Sequence, residues 1–155
     1  MTEEKSYFTI DDMKIALSEI ISQIESSNFT PEIIFSINRG GCIPGVYLSH
    51  AINVQHKVID VQLRDDLNRP NIKSLTNIIS VYNNILIIDD INDTGSTFNF
   101  IKKSFRNHNN KLYYASLIEN KTSSFKVNFS GKIIDKSIDP KWIVFPWEQQ
   151  LKHNV

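Results

Sequence analysis

The chain has one cysteine, Cys42, so no disulfide can form within it, and a reducing cytoplasm is the expected home. Glycine and proline are sparse, five of each in 155 residues, which excludes collagen-like and Pro/Gly-rich disordered chains. No apolar run approaches the ~20 residues that a membrane-spanning helix needs. The longest are short clusters such as residues 85–88, so no membrane partner is expected. A basic flank followed by an apolar stretch is also missing from residues 1–6, which are acidic and polar, and no secretory leader is expected. Charge of one sign is absent too. The 17 basic side chains balance 17 acidic ones with no block able to track a phosphate backbone, so nucleic acid is not an expected partner.

What is present is ordinary for a globular protein: 41% hydrophobic and 22% charged residues in a chain the size of one domain, so one self-folding unit over 1–155 is expected. Thr9-Ile10-Asp11-Asp12 reads as a capped helix start, followed by Leu17, Ile20, Ile21 and Ile24 at helical spacing as far as Asn28 and Pro31. Residues 33–37 are a nearly continuous apolar run of β-branched and aromatic side chains ending in Asn38-Arg39-Gly40-Gly41, and residues 44–52 read as a helix. Further strands are expected at 56–63, 85–88, 112–118 and 132–138, and a helix at 97–106. Strands alternating with helices imply an α/β fold, a mostly parallel twisted sheet flanked by helices, because parallel neighbours need crossover connections. Ligands of such sheets bind outside the carboxyl ends of the strands. Residues 64–77 are polar, contain Pro70 and show no period, which predicts a loop long enough to be either a lid or a disordered excursion.

The segment richest in chemistry runs from an apolar strand into Asp89-Asp90-Ile91-Asn92-Asp93 and then Thr94-Gly95-Ser96-Thr97 at a helix start. Unpaired N–H groups at a helix N-terminus, with the hydroxyls of Thr94, Ser96 and Thr97, make a cradle for a phosphate, and Gly95 lets the backbone approach it. Two carboxylates just before that cradle suit a vicinal diol, so a ribose 5-phosphate matches the layout. The plain alternative is that Asp89 and Asp90 merely end a strand and that Thr94 or Ser96 caps a helix. Three carboxylates within five residues repel one another unless a cation or a hydroxyl-bearing ligand compensates, which favours a binding site and a Mg²⁺ ion. Arg39 is one of only four arginines, and Gly40-Gly41 beside it forms a possible anion nest, although a surface arginine at a turn reads the same way. Cys42 has no His or Asn partner for nucleophilic catalysis, and His50, His56, His108 and His153 lack a zinc-ligand spacing.

The stretch Ile87-Ile88-Asp89-Asp90-Ile91-Asn92-Asp93-Thr94-Gly95-Ser96-Thr97 resembles the phosphoribosyl-diphosphate motif of type I phosphoribosyltransferases, and Ser36-Ile37-Asn38-Arg39-Gly40-Gly41-Cys42-Ile43-Pro44-Gly45 resembles their diphosphate loop. Between residues 7 and 149 the chain is most similar to small bacterial xanthine-guanine phosphoribosyltransferases. Residues 119–149, with Leu117-Ile118-Glu119-Asn120-Lys121 leading in and Lys141-Trp142-Ile143-Val144-Phe145-Pro146-Trp147-Glu148 following, look like that subfamily's purine-binding part, a small C-terminal hood. The resemblance implies that Lys121 donates to the oxygen at purine C6, Trp142 covers the ring and the Ile143 carbonyl meets the C2 side. It further implies that Asp93 and Arg39 are catalytic, that Asp89 serves the metal directly or through ribose hydroxyls or water, and that Asp90, Asn92 and residues 94–97 hold the sugar phosphate. Phosphoribosyl diphosphate and a 6-oxopurine are the implied substrates, Mg²⁺ the cofactor, and a homodimer or homotetramer the assembly. From the residues alone, Trp142 and Trp147 read equally as stacking plates or as seals on a sheet edge, and Lys121 as a solvated lysine.

The chain departs from that subfamily at three places. Gln62-Leu63 stand where a Ser-Tyr pair opens the mobile loop, Val144 where an acid follows the Trp-Ile pair, and Ser96 where glycine is usual. Arg69 and Lys73 in the loop read either as diphosphate contacts or as solvated. Two other readings remain: a non-catalytic phosphoribosyl-diphosphate-binding regulator, and a receiver-like signalling domain, which would carry its acid pair on the first strand rather than past the middle of the chain.

Overall fold

The computed structural model describes residues 2–61 and 72–149. Helix α1 (Ile10–Glu25) begins as its sequence predicts: the Thr9 hydroxyl accepts from the Asp12 N–H at 3.0 Å, and the Asp12 carboxylate accepts from the Thr9 N–H at 2.9 Å. Met13, Ala16, Leu17, Ile20 and Ile24 line its buried face.

Strands β2 (Ile33–Ile37), β3 (Gln55–Ile59), β4 (Ile85–Asn92), β5 (Leu112–Asn120) and β6 (Phe129–Ile134) form one parallel sheet in the order β3-β2-β4-β5-β6. A parallel sheet covered on both faces needs apolar side chains pointing both ways, and all of β2 and the first half of β4 are buried accordingly. One face packs α1 and α2 (Cys42–Ile52) through Met13, Ile20, Leu48 and Leu86. The other packs α3 (Ile72–Ile79) and α4 (Ser96–Ser104) through Ile79, Phe98, Ile101 and Phe35. The expected α/β class is therefore the observed one.

Several boundaries differ from expectation for identifiable reasons. β4 does not stop at Ile88 but carries both aspartates inside the strand to Asn92, because the ladder to β5 continues through Asp89–Ser116, Ile91–Ile118 and Asn92–Glu119. Backbone pairing is indifferent to the polarity of the side chains it carries. β6 lies at Phe129–Ile134, earlier than expected, since the Asp135 carboxylate accepts from the Ser137 N–H and turns the chain. β3 ends at Ile59, level with the end of its partner β2. The expected lid at 64–77 falls largely outside the described residues, as do Gln62, Leu63 and Arg69, while its last part, 72–77, lies in α3. Leu75, Ile78 and Ile79 at helical spacing explain that helix.

Besides α3, two strands have no counterpart in the sequence reading. β1 (Lys5–Tyr7) and β7 (Trp142–Val144) pair in parallel as a separate two-stranded sheet, in register Lys5–Trp142, Ser6–Ile143 and Tyr7–Val144. The hood is thus made by both termini rather than by the C-terminal segment alone.

Candidate functional site

β2 and β4 deliver their carboxyl ends to one cleft of about 1040 Å³, roofed on one side by β7 and the 3-10 turn at Pro146–Glu148. After β2 the chain runs through Asn38, Arg39, Gly40 and Gly41, with a cis Asn38–Arg39 peptide bond. The Asn38 amide donates to Asp60 at 2.7 Å and its N–H to the Ile59 carbonyl at 2.9 Å, which tethers the loop to the end of β3. A Cβ on Gly40 would stand 2.1 Å from Asp90 Oδ2, so the loop and the acid strand touch only because residue 40 lacks a side chain. The Arg39 side chain is exposed at the rim of the cleft. Burial, then the charges of Asp60 and Asp89, push the Cys42 thiol up, so it is a poor nucleophile.

Burial raises the Asp89 carboxyl well above the usual carboxylate range, with the neighbouring Asp90 charge adding to it; burial raises Asp90 as well. Their hydrogen bonds are local: Asp90 N–H to Asp89 Oδ1 at 2.9 Å and Ile91 N–H to Asp90 Oδ1 at 2.8 Å. Among the described residues neither forms an ion pair with a lysine or arginine. Such a pair is suited to a cation. No group of three or more His, Cys, Asp or Glu able to hold a metal occurs among the described residues, so a full protein cage is missing. Mg²⁺, however, binds through one or two carboxylates plus waters and substrate phosphates, and Asp89 with Asp90 fits that donor set.

The turn into α4 is built from Thr94 to Thr97. Gly95 has φ of 90°, and a Cβ there would approach the Phe125 N–H and the Ser124 hydroxyl to 2.7 Å. The Thr94 and Ser96 hydroxyls lie 3.0 Å apart. Gly95 has no side chain to cap the helix; the Ser96 N–H donates to the Thr94 hydroxyl at 3.3 Å, and the next N–H groups of the first turn, which have no intrahelical acceptor, lie at the cleft for an anion to use. The turn is braced from behind, where the Thr94 carbonyl accepts from the Ser124 N–H at 3.0 Å and from its hydroxyl at 2.9 Å. Asn92 does the same work. Its side chain donates to the Phe125 carbonyl at 2.7 Å and accepts from the Ser123 hydroxyl at 2.9 Å, so it supports the turn with a side chain already committed within the protein.

Asp93 stands where the turn meets the hood. Asn120 donates to its Oδ1 at 3.1 Å and Lys136 pairs with its Oδ2 at 2.8 Å. Trp142 is 38% exposed and faces the cleft beside Ile143, with the Lys136 ammonium 5.6 Å from its ring centroid. The two tryptophans stand in different settings. Trp147 stacks on buried Phe145 at 5.1 Å and donates from its indole N–H to Asp90 at 3.3 Å, fastening the hood to the acid strand.

Arg39, Gly40, Asp89, Asp90, Asn92, Asp93, Thr94, Gly95, Ser96, Thr97, Trp142 and Ile143 all line this cleft. Gly41 sits just behind it, closing on the Ile37 carbonyl at 2.9 Å. Lys121 does not line it. That residue is exposed, and its main chain is tied to Ile134 and to the Lys126 ammonium. The sequence reading overlooked Lys136, Asn120 and Trp147's bond to Asp90, none of which carries a local signal.

A family model described as the phosphoribosyl transferase domain matches residues 4–154. No curated protein matches the sequence significantly. Among solved structures, a purine phosphoribosyltransferase from Pyrococcus horikoshii Ot3 is 24% identical, with TM-score 0.70 over 98% of this chain and 99% of that one. A xanthine-guanine-hypoxanthine phosphoribosyltransferase from Helicobacter pylori is 20% identical, with TM-score 0.68 over 95% and 94%. A hypothetical protein from Neisseria gonorrhoeae with bound ppGpp is 18% identical, with TM-score 0.76 over 96% and 92%. At these identities the structures share the fold.

Proposed function

We propose, from the premise that this chain belongs to the phosphoribosyl transferase domain family and is a glycosyltransferase enzyme, that it makes purine nucleoside monophosphates for purine salvage. It transfers the phosphoribosyl group of 5-phospho-α-D-ribosyl 1-diphosphate to N9 of guanine, xanthine or hypoxanthine and releases diphosphate. One observation supports this most: a single cleft is lined by the hydroxyl-bearing turn, the acid pair, the Arg39 loop and an exposed tryptophan face. Those four features match the 5-phosphate, the ribose diol, the diphosphate and a flat base.

The C1–O bond breaks with its electron pair leaving on diphosphate, and N9 closes on C1 with inversion. Thr94 to Thr97 fix the phosphate end, and the diol rests on Asp89 and Asp90. Arg39 and the N–H groups of Gly40 and Gly41 stabilise the charge that grows on the leaving group. Asp89 would hold Mg²⁺, directly or through ribose hydroxyls or water, and the ion would supply positive charge against the diphosphate. Asp93, held between Asn120 and Lys136, is the carboxylate placed to take a proton from the imidazole side of the base. Water competes as nucleophile, and residues 64–77 are the segment we assign to excluding it.

The protein works in the cytoplasm as a homodimer or homotetramer in this reading. Exposed Val46 and Tyr47 on α2 and Val58 on the edge strand β3 offer apolar surface for a second copy. Among the described residues no helix is long and apolar enough to cross a membrane. A product assay with phosphoribosyl diphosphate, Mg²⁺ and each of guanine, xanthine, hypoxanthine, adenine and uracil tests the proposal. Nucleotide from the 6-oxopurines is expected. Nucleotide from none of the five would overturn it in favour of a non-catalytic regulator that binds the same sugar phosphate.

A further inference from the structure

Lys136 is held at both ends. Its N–H donates to the Asn120 side chain at 3.2 Å, and its ammonium pairs with Asp93 at 2.8 Å with only 19% of the side chain exposed. The ammonium also stands 5.6 Å from the centroid of Trp142, at the wall of the cleft. An ammonium has three N–H donors and accepts nothing. Among the described residues Asp93 is its side-chain acceptor, which leaves donors for a ligand. A flat ring lying on Trp142 at about 3.5 Å contact distance brings one edge within reach of that ammonium. An acceptor on that edge completes a charge-assisted hydrogen bond. An amino group there sets donor against donor and gives the ammonium no acceptor beyond Asp93.

We propose that Lys136 is the residue that selects a base carrying an acceptor, the 6-oxo group, over one carrying a donor, the 6-amino group. This rests on the purine phosphoribosyltransferase reading and moves the contact with the purine C6 substituent from Lys121 to Lys136. Lys121 is exposed, and it is not among the residues that line the cleft. Two lysines fifteen positions apart in one segment thus differ in role because the turn after β6 swings the second one over Asp93.

The test compares wild type, Lys136→Met, Lys136→Arg and Lys121→Met, with circular dichroism as a folding check. Steady-state kinetics are run with hypoxanthine and adenine, and binding of each base is followed by calorimetry with phosphoribosyl diphosphate present. For Lys136→Met the KM for hypoxanthine should rise about 10- to 100-fold, the scale of one hydrogen bond to a charged group. The KM and the calorimetric affinity for adenine should change little, so the preference between the bases in binding collapses whatever happens to kcat through Asp93, while Lys136→Arg keeps a preference for the 6-oxo base. Lys121→Met should leave that preference intact. If instead Lys121→Met erases it and Lys136→Met does not, the assignment is overturned while the enzyme reading survives. Failure of the wild type to bind or convert either base overturns both.

Discussion

The acid pair and phosphate turn ride on β4, the middle strand of the five-stranded sheet, whose first four residues are completely buried. Trp142 and Ile143 instead sit on a three-residue strand whose ladder partner is another three-residue strand from the far end of the chain. The first region can open only when the core opens, so it holds charges in fixed positions despite their mutual repulsion. The second is peripheral, and its local opening costs far less than global unfolding. On the proposed function, the rigid wall of the cleft places a sugar phosphate and the pliable wall recognises a base. Asp93 and Trp147 are the cross-links between the walls, through Lys136 and Asp90 respectively.

The largest effect is expected at the first of those cross-links. Asp93→Asn should lower kcat roughly 100-fold or more with little change in either KM, as loss of a general base does; an unchanged turnover number removes Asp93 from the chemistry. On the rigid wall, Gly95→Ala forces a side chain into a left-handed backbone and against Phe125 and Ser124. It should cost about 1–3 kcal/mol in denaturant unfolding and raise the KM for phosphoribosyl diphosphate. On the pliable wall, Trp142→Ala should weaken base binding by about 1–3 kcal/mol while sugar-phosphate affinity and Tm hold. Deleting residues 2–7 removes the ladder partner of β7 and should copy that selective loss. If the deletion weakens both substrates equally, the division between the walls is wrong.

The smallest effect concerns the stored repulsion. Burial, then the Asp90 charge, raises the Asp89 carboxyl, so the folded state holds that proton more tightly than the unfolded chain. The stability this group contributes is complete below its unfolded pKa of about 4 and is lost as pH rises through the raised folded value. Across that window ionisation of the carboxyl favours the unfolded chain. Asp89→Asn should then raise Tm by about 2–4 °C in the ligand-free protein. The gain should shrink to nothing as the pH falls to about 4. Loss of sugar-phosphate binding should accompany it, a trade of stability against function. A Tm gain independent of pH would show that relief of charge is not its origin.

The sheet was legible because its strands are buried on both faces and so appear as continuous apolar runs, and α1 because its cap and period agree. The turn into α4 was legible for a similar reason: Gly95 and the hydroxyls of Thr94, Ser96 and Thr97 at adjacent positions mark a helix start. α3 was missed where a polar, proline-containing stretch hid its short apolar period, and β4 was cut short because the reading equated the arrival of aspartate with the end of pairing.

By itself, then, the sequence determined the elements of the parallel α/β framework and of the β4–α4 turn, since each element is written in a local pattern of apolar, glycine and hydroxyl-bearing residues, although the strands they form pair across tens of positions. Only the tertiary structure decided that β1 would hold β7, that Trp142 would face the cleft while Trp147 bound Asp90, and that Lys136 rather than Lys121 would reach Asp93. Each of those depends on which distant segments the packed core brings together. Distance along the chain leaves no periodic trace of such meetings, because what fixes them is the shape of the surface on which the ends come to rest.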